Sequence, residues 1–184
     1  MAMADSNRDE IPFWYSKLIM PQLQYPHCEI CPIVEQPSQQ DLKFRIHEGD
    51  AWRITLRDNQ ALLGTAFITL KPHRESLDQL PPAEEEEFIV IRNRLIRAVG
   101  AAFTPDVVNL SCLMNFAFRP TDDPDFTPQP HVHYHFKPRY SSSRTVAGET
   151  FTDPEFASPL TQRRTQLVGP AVGGIVVARI KENF

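Results

Sequence analysis

Three histidines alternate with apolar residues in the run His131-Val132-His133-Tyr134-His135-Phe136. In an extended strand successive side chains point to opposite faces. His131, His133 and His135 then share one face, and Val132, Tyr134 and Phe136 take the other, toward a core. At about 3.3 Å of rise per residue, neighbours on the histidine face stand roughly 7 Å apart. Three imidazoles so arranged serve two kinds of chemistry. They bind a metal, or one attacks as a nucleophile while the others handle protons and phosphate charge. A neutral imidazole is available near neutral pH because its ordinary pKa is about 6.5, and the phosphoramidate it forms is labile to water. The plain alternative is a core strand that happens to carry histidines. With only six histidines in 184 residues, three alternating in one run argue against chance.

A second candidate group is Cys28-x-x-Cys31. Two thiolates need two further ligands to close a tetrahedral zinc site, and His73 and His131 are available. The competing reading keeps Cys28 and Cys31 as reduced, partly buried small residues and His73 as a strand-end histidine. Cys112 reads as core, His47 as surface, and His27 as a possible ligand in the wrong register. Arg139 has three readings: a phosphate ligand, a carboxylate partner or an exposed side chain. Phe44, Trp52 and Tyr134 read as core residues, with Ile46 or Trp52 able to wall an adenine pocket.

These groups need a scaffold, and its elements are legible. Residues 44–47 and 52–56 read as two short strands around the turn Glu48-Gly49-Asp50, and 65–70 as a third that ends at Lys71-Pro72-His73. Pro81 and Pro82 suit a first helical turn, and Glu84 to Glu87 suit the positive end of the helix dipole. A solvated acidic helix start is favoured there over a metal site. Phe88, Ile91, Leu95, Ile96, Val99 and Ala102 follow as one expected buried stripe. Residues 107–115 form a further strand, 121–130 a rigid acidic loop into the histidine strand, and 173–180 a possible late strand. The expected organisation is an N-terminal extension (1–27), one α+β domain (28–157) and a loop-rich C-terminal tail (158–184).

The formal net charge of −4 offers no broad basic surface, so extended nucleic-acid binding is not expected and an anionic ligand must meet a local site. No apolar run approaches the roughly 20 residues of a membrane span. The first ten residues lack the layout of a secretory signal, and three cysteines suit a reducing compartment, so a cytoplasmic protein is expected.

The residues His131-Val132-His133-Tyr134-His135-Phe136-Lys137-Pro138-Arg139-Tyr140 resemble the signature of the histidine-triad (HIT) superfamily. Gly64-Thr65-Ala66-Phe67-Ile68-Thr69-Leu70-Lys71-Pro72-His73, with Leu77 and Leu80 after it, resembles the family strand that ends in Lys-x-His. Asn109 to Asn115 and Gly148 to Pro154 are similar to the branch related to diadenosine tetraphosphate hydrolases. The resemblance implies an antiparallel sheet with one long helix, a homodimer, and a nucleotidyl hydrolase or transferase acting on dinucleoside polyphosphates or nucleoside phosphoramidates. An adenine nucleotide is the implied substrate. His133 would be the nucleophile on the α-phosphorus, forming a nucleotidyl-histidine and releasing a nucleoside monophosphate. His131 would orient it and His135 contact phosphate, while Asn115 and, less closely, Gln129 match nucleotide-binding positions. The set Cys28, Cys31, His73 and His131 resembles the structural zinc site of some members. No organic cofactor is implied, and magnesium could escort a polyphosphate.

Two departures stand out. Many members carry a Gly-Gln-Ser-like segment shortly before the triad, where this chain has Phe126-Thr127-Pro128-Gln129-Pro130. The acidic residue that contacts ribose in many members has no clean counterpart, for Arg57 falls nearest it, with Asp58 beside it. These departures motivate an alternative: a nucleotide-binding or scaffold protein with little turnover.

Overall fold

The computed structural model describes residues 25–159 and 164–184. Most of the expected N-terminal extension therefore lies outside the described residues. Period-two alternation of branched and aromatic residues builds the central strands β1 (Arg45–Glu48), β2 (Trp52–Leu56) and β3 (Ala66–Leu70), followed by β4 (Val107–Ser111) and β5 (His133–Arg139). They form one antiparallel sheet in the order β1-β2-β3-β5-β4. Two short helices, α1 (Cys31–Glu35) and α2 (Gln39–Lys43), precede it, and α3 (Pro82–Phe103) is the long helix. A hairpin of β6 (Arg144–Val146) and β7 (Glu149–Phe151) and a last helix, α4 (Pro170–Lys181), complete the chain. The expected α+β antiparallel architecture with one long helix is the one observed.

Register decides which side chains share a face. Ile54 pairs with Ile68 and Ile68 with Tyr134, while Leu56 pairs with Ala66 and Ala66 with Phe136. All of these point to the core, where α3 contributes Ile91, Leu95, Ala98, Val99 and Phe103. The expected stripe is corrected at Ile96, which is 38% exposed. Five residues on from Ile91, a helix has turned through roughly 500°, so Ile96 sits about 140° off the stripe and Ala98 takes its place. The acidic helix start is likewise only half solvated. Glu85 and Glu86 are exposed. Glu84 is buried and receives Arg74, and Glu87 accepts the backbone N–H groups of Ala51 and Trp52 at 2.8 and 3.2 Å. Those two carboxylates replace water with fixed donors and tie the helix to the β1–β2 turn.

The strand expected over 107–115 stops at Ser111, because Met114 turns into the left-handed region (φ 50°) and a 3₁₀ turn, Asn115–Phe118, follows. Arg139, at the end of β5, pairs with a carboxylate. Its guanidinium bonds Asp153 at 2.5 Å with both side chains almost fully buried, and it also donates to the carbonyls of Ser158 and Glu155. This ion pair pins the chain after β7 to the sheet.

The late strand expected over 173–180 is a helix, and the tail is correspondingly less loop-like than expected. Valine and isoleucine suggest a strand, but Gly173, Val176, Val177 and Ile180 are the buried positions, and that spacing is helical. Pro170 sits in the first turn, and Arg179 and Lys181 suit the negative C-terminus. Close packing explains one of its two glycines: a Cβ on Gly173 would come within 2.4 Å of the buried Phe44 ring, whereas one on Gly174 would meet nothing within 4 Å.

The two glycines should respond oppositely to alanine in urea denaturation. Gly173→Ala overpacks the core and is expected to cost about 1–3 kcal/mol. Gly174→Ala removes a helix-interior glycine and should add about 0.5–1 kcal/mol.

Candidate functional site

The face of the sheet opposite α3 carries the histidines. Its cross-strand rows follow from the register: Arg53, Thr69 and His133, then Thr55, Phe67, His135 and Ser111, then Lys137 beside Asn109. The Arg57 N–H bonds the Thr65 carbonyl at 3.0 Å and extends the β2–β3 ladder, which puts Arg57 in the Lys137 row. These residues are neither sealed in the core nor free in solvent. His133, His135, Phe67, Thr69, Ser111, Lys137 and Arg57 are all half-buried.

His133 Nδ1 lies 2.8 Å from the carbonyl oxygen of His131. A carbonyl only accepts, so Nδ1 carries the proton and Nε2 keeps its lone pair. Burial pulls the His133 pKa below its ordinary value, which favours that neutral form. His135 meets the Phe67 ring edge-on, with centroids 4.9 Å apart, and its centroid is 5.1 Å from that of His133. Burial first, then the charges of His133, Lys137 and Arg57, push His135 down to about 4. Its Nδ1 is buried without a hydrogen-bond partner among the described residues.

His131 sits just ahead of β5, held by Val132 N–H to the Arg74 carbonyl at 2.9 Å and Leu70 N–H to the Val132 carbonyl at 3.3 Å. Its ring turns away from His133. Nε2 donates to the Leu70 carbonyl at 2.7 Å, which leaves the Nδ1 lone pair facing Cys28 Sγ at 3.4 Å and Cys31 Sγ at 3.5 Å. His73 Nδ1 lies 3.3 Å from Cys31 Sγ, and its Nε2 is 3.6 Å from the Glu75 carboxylate. The four donor atoms of Cys28, Cys31, His73 and His131 fall within 4.8 Å of one another. A tetrahedral zinc with bonds of about 2.0–2.3 Å sets its donors about 3.3–3.8 Å apart, so the set fits a closed structural site. The surroundings suit it too: the fixed His131 tautomer and the carboxylate behind His73 are the outer contacts that orient metal ligands. Without a metal the Cys31 thiol is costly to ionise. Burial and then Cys28 push the Cys31 thiol up to about 12. A zinc there would tie α1 to the sheet, a link reinforced by Arg53, whose guanidinium donates to the Ile33 and Val34 carbonyls at the end of α1.

The remaining candidates lie elsewhere. Asn115 is exposed at the start of the 3₁₀ turn after β4. Gln129 and the Thr127 backbone are held by His27: the His27 N–H donates to Gln129 Oε1 at 2.8 Å, and Thr127 N–H donates to His27 Nδ1 at 2.8 Å. His27 is thus no ligand of the cysteine cluster. Cys112 is half-buried just past β4, and His47 is half-buried against Phe184. Lys137, Phe67 and Ser111 escaped the reading from sequence, because only the long-range register of β5 with β3 and β4 brings them to the histidines.

No protein-family model and no curated protein matches the chain. Solved structures do. A histidine-triad nucleotide-binding protein of Sulfolobus tokodaii is 15% identical, with a TM-score of 0.57 over 85% of this chain and 91% of that one. A zinc-bound histidine-triad family protein of Mycobacterium smegmatis is 19% identical, with a TM-score of 0.54 over 84% and 94%. The fold is that of the histidine-triad proteins. A uridylyltransferase is 17% identical, with a TM-score of 0.58 over 92% of this chain and 46% of that larger one. The histidine-triad fold accounts for the sheet and the long helix, with β5 lying between β3 and β4. No helix of the described residues is long and apolar enough to cross a membrane.

The purified protein should carry about one zinc per chain by elemental analysis. Cys31→Ser should lose it and melt at lower temperature. Because the thiols must lose protons to bind, zinc affinity should fall as pH falls. His135 gives a separate pH signature. Its folded pKa of about 4 lies below the 6.5 of an exposed imidazole, so the unfolded chain binds more protons between those values. Stability should therefore drop on acidification from about pH 6.5 to about 4, and His135→Gln should reduce that slope in urea titrations. Equal slopes in the two proteins would contradict the assignment.

Proposed function

We propose that this protein is a nucleotidyl hydrolase or transferase in which His133 Nε2 attacks the α-phosphorus of a nucleotide. The observation that carries the reading is the hydrogen bond from His133 Nδ1 to the His131 carbonyl, which leaves Nε2 unprotonated on an open face of the sheet. In the first step the Nε2 lone pair forms a bond to phosphorus, and the bond from phosphorus to the leaving phosphate or amine breaks. The leaving group departs with its electron pair and takes its proton from solvent. The phosphorylated imidazole is then cationic, and the His131 carbonyl already accepts its remaining N–H. Water attacks phosphorus in the second step, the N–P bond breaks, and a nucleoside monophosphate and a proton are released. Splitting one displacement into two in this way is covalent catalysis.

The proposed substrates are dinucleoside polyphosphates or nucleoside phosphoramidates, with adenine as the base and magnesium accompanying a polyphosphate. His135 stands one row along the strand as the phosphate contact, and Asn115 and Gln129 are the proposed further nucleotide contacts. Structural zinc on Cys28, Cys31, His73 and His131, a homodimer and a cytoplasmic setting complete the reading. The likeness to a uridylyltransferase fold supports group transfer as readily as hydrolysis.

A second reading is a nucleotide-binding protein with little turnover. It is favoured by the Gln129 carbonyl being engaged by His27 immediately before the triad.

Turnover of diadenosine tetraphosphate and of an adenosine phosphoramidate decides between them. His133→Ala should lower kcat by more than roughly 10³-fold, as expected when a covalent nucleophile is removed. Wild-type protein quenched in alkaline denaturant, where the N–P bond survives, should carry an adenylyl group on His133 by mass spectrometry. Tight nucleotide binding with no turnover and no adenylyl-histidine would establish the binding protein instead.

A further inference from the structure

We propose that Arg57 and Lys137 form an anion subsite beside His135 that takes a second phosphoryl group of the ligand, distinct from the one attacked by His133. Its role in substrate choice rests on the nucleotidyl-transfer reading, but the subsite itself stands on the geometry of the sheet.

Lys137 follows His133 by four strand residues and lies on the same face, so the two backbones are about 13 Å apart. His135 stands between them. Arg57 occupies the Lys137 row two strands away, roughly 10 Å across the sheet, a gap that two long side chains can close over Phe67. The Arg57 guanidinium already stacks on the Phe67 ring, 4.9 Å from its centroid. That stacking fixes its position while leaving its N–H donors free for an acceptor.

Charge pairing on this face is selective. Arg45 and Arg53 share the Glu48 carboxylate, and Arg139 is neutralised by Asp153. Arg57 and Lys137 make no ion pair among the described residues. Asp58, next to Arg57 in sequence, instead accepts the Asn59 N–H at 2.7 Å. Burial, then the charges of Arg57 and Arg139, hold the Lys137 ammonium below its ordinary range, the behaviour of a cation that lacks its counter-charge. His135 feels both cations as well.

A cavity of about 390 Å³ lies on the β4 side of Lys137, away from Arg57, between Val107, Asn109 and Arg139 of the sheet and residues 156–159, and neither cation lines it. The subsite is therefore the half-buried surface of the sheet over Phe67 and beside His135, where both side chains lie. A carboxylate near Arg57 would suit a ribose diol. Two unpaired cations and an imidazole suit a phosphate, which accepts several charge-assisted hydrogen bonds at once.

Such a phosphate has two sources: further along a polyphosphate chain, or on the ribose ring. Calorimetric titration of the full chain carrying His133→Ala, without added divalent cation, separates them. The probes are adenosine 5′-monophosphate, adenosine 5′-triphosphate, adenosine 3′,5′-bisphosphate and inorganic triphosphate. At least one of the two more highly phosphorylated nucleotides should bind about tenfold or more tighter than the monophosphate, the scale of a charge-assisted hydrogen bond. Which of them does so identifies the source. Arg57→Ala and Lys137→Ala should each abolish that preference while leaving the monophosphate affinity within about twofold. Equal affinity for the three nucleotides, or a preference that survives both substitutions, would overturn the proposal. If no nucleotide binds but inorganic triphosphate still binds in a manner dependent on Arg57 and Lys137, the subsite stands and the nucleotidyl-transfer reading fails.

Discussion

The chemistry available to this protein depends on a single hydrogen bond, from His133 Nδ1 to the carbonyl of His131. It fixes which nitrogen is protonated, and hence which nitrogen can attack or ligate. A backbone carbonyl holds that tautomer reliably because it has no donor form, whereas a side-chain hydroxyl or amide could turn to serve either nitrogen. The bond is only as well placed as residue 131 itself. That residue is fixed on three sides: by the backbone pairings of Val132, by its own Nε2 on the Leu70 carbonyl, and by Nδ1 facing two cysteine sulfurs. His131 therefore divides its work. Its ring belongs to the cysteine cluster, and its carbonyl fixes the tautomer of His133.

The sheet keeps these two duties apart by geometry alone. His131 lies just before the regular strand and points its ring toward α1, while His133 and His135 stand within the strand over Phe67 and Thr69. Charge is distributed along the same axis. At the α1 end the cations converge on Glu48; at the far end Arg139 is closed by Asp153. The buried Arg139–Asp153 pair is mainly a device of position, since separating two charges from water offsets most of their attraction. What lies between the two ends is the part of the face where positive charge is left unmatched.

Much of this was legible because it is local. Alternation at period two identified the strands and put three imidazoles on one face; prolines and glutamates marked the start of α3; Cys28 and Cys31 with His73 and His131 had the donor chemistry of zinc. Apart from Ile96, which helix geometry alone puts off the stripe, and the strand cut short by the turn at Met114, the misreadings share one physical cause, which is that tertiary packing chose among local options. Gly173 to Ile180 has the composition of a strand, but Phe44 needs a position without a side chain, and only helical spacing presents Gly173, Val176, Val177 and Ile180 together. Glu84 and Glu87 have the composition of a solvated helix start, yet Arg74 and the turn at Ala51 lie within reach. Arg139 could be assigned to its carboxylate only once the chain after β7 had folded back to bring Asp153 beside it. The cation row was invisible for the same reason, since Arg57 and Lys137 are eighty residues apart and meet only through β3.

The loop before the triad completes the picture of how the site is held. From Thr121 to Pro130 it makes no strand, and its proline content restricts the backbone without supplying hydrogen bonds. What fastens it is His27, which gives its N–H to Gln129, accepts from Thr127 and stacks on Phe126 with centroids 5.2 Å apart. His27 is the residue immediately before Cys28. The loop and the cysteine cluster are therefore fixed through consecutive residues, and both lead directly into His131, one through the chain and the other through the ring. The departure from the familiar pre-triad segment thus has a structural counterpart. Here the Gln129 carbonyl fastens the loop to the segment that carries the thiols, and the cations without an ion-pair partner among the described residues lie on the other side of His135.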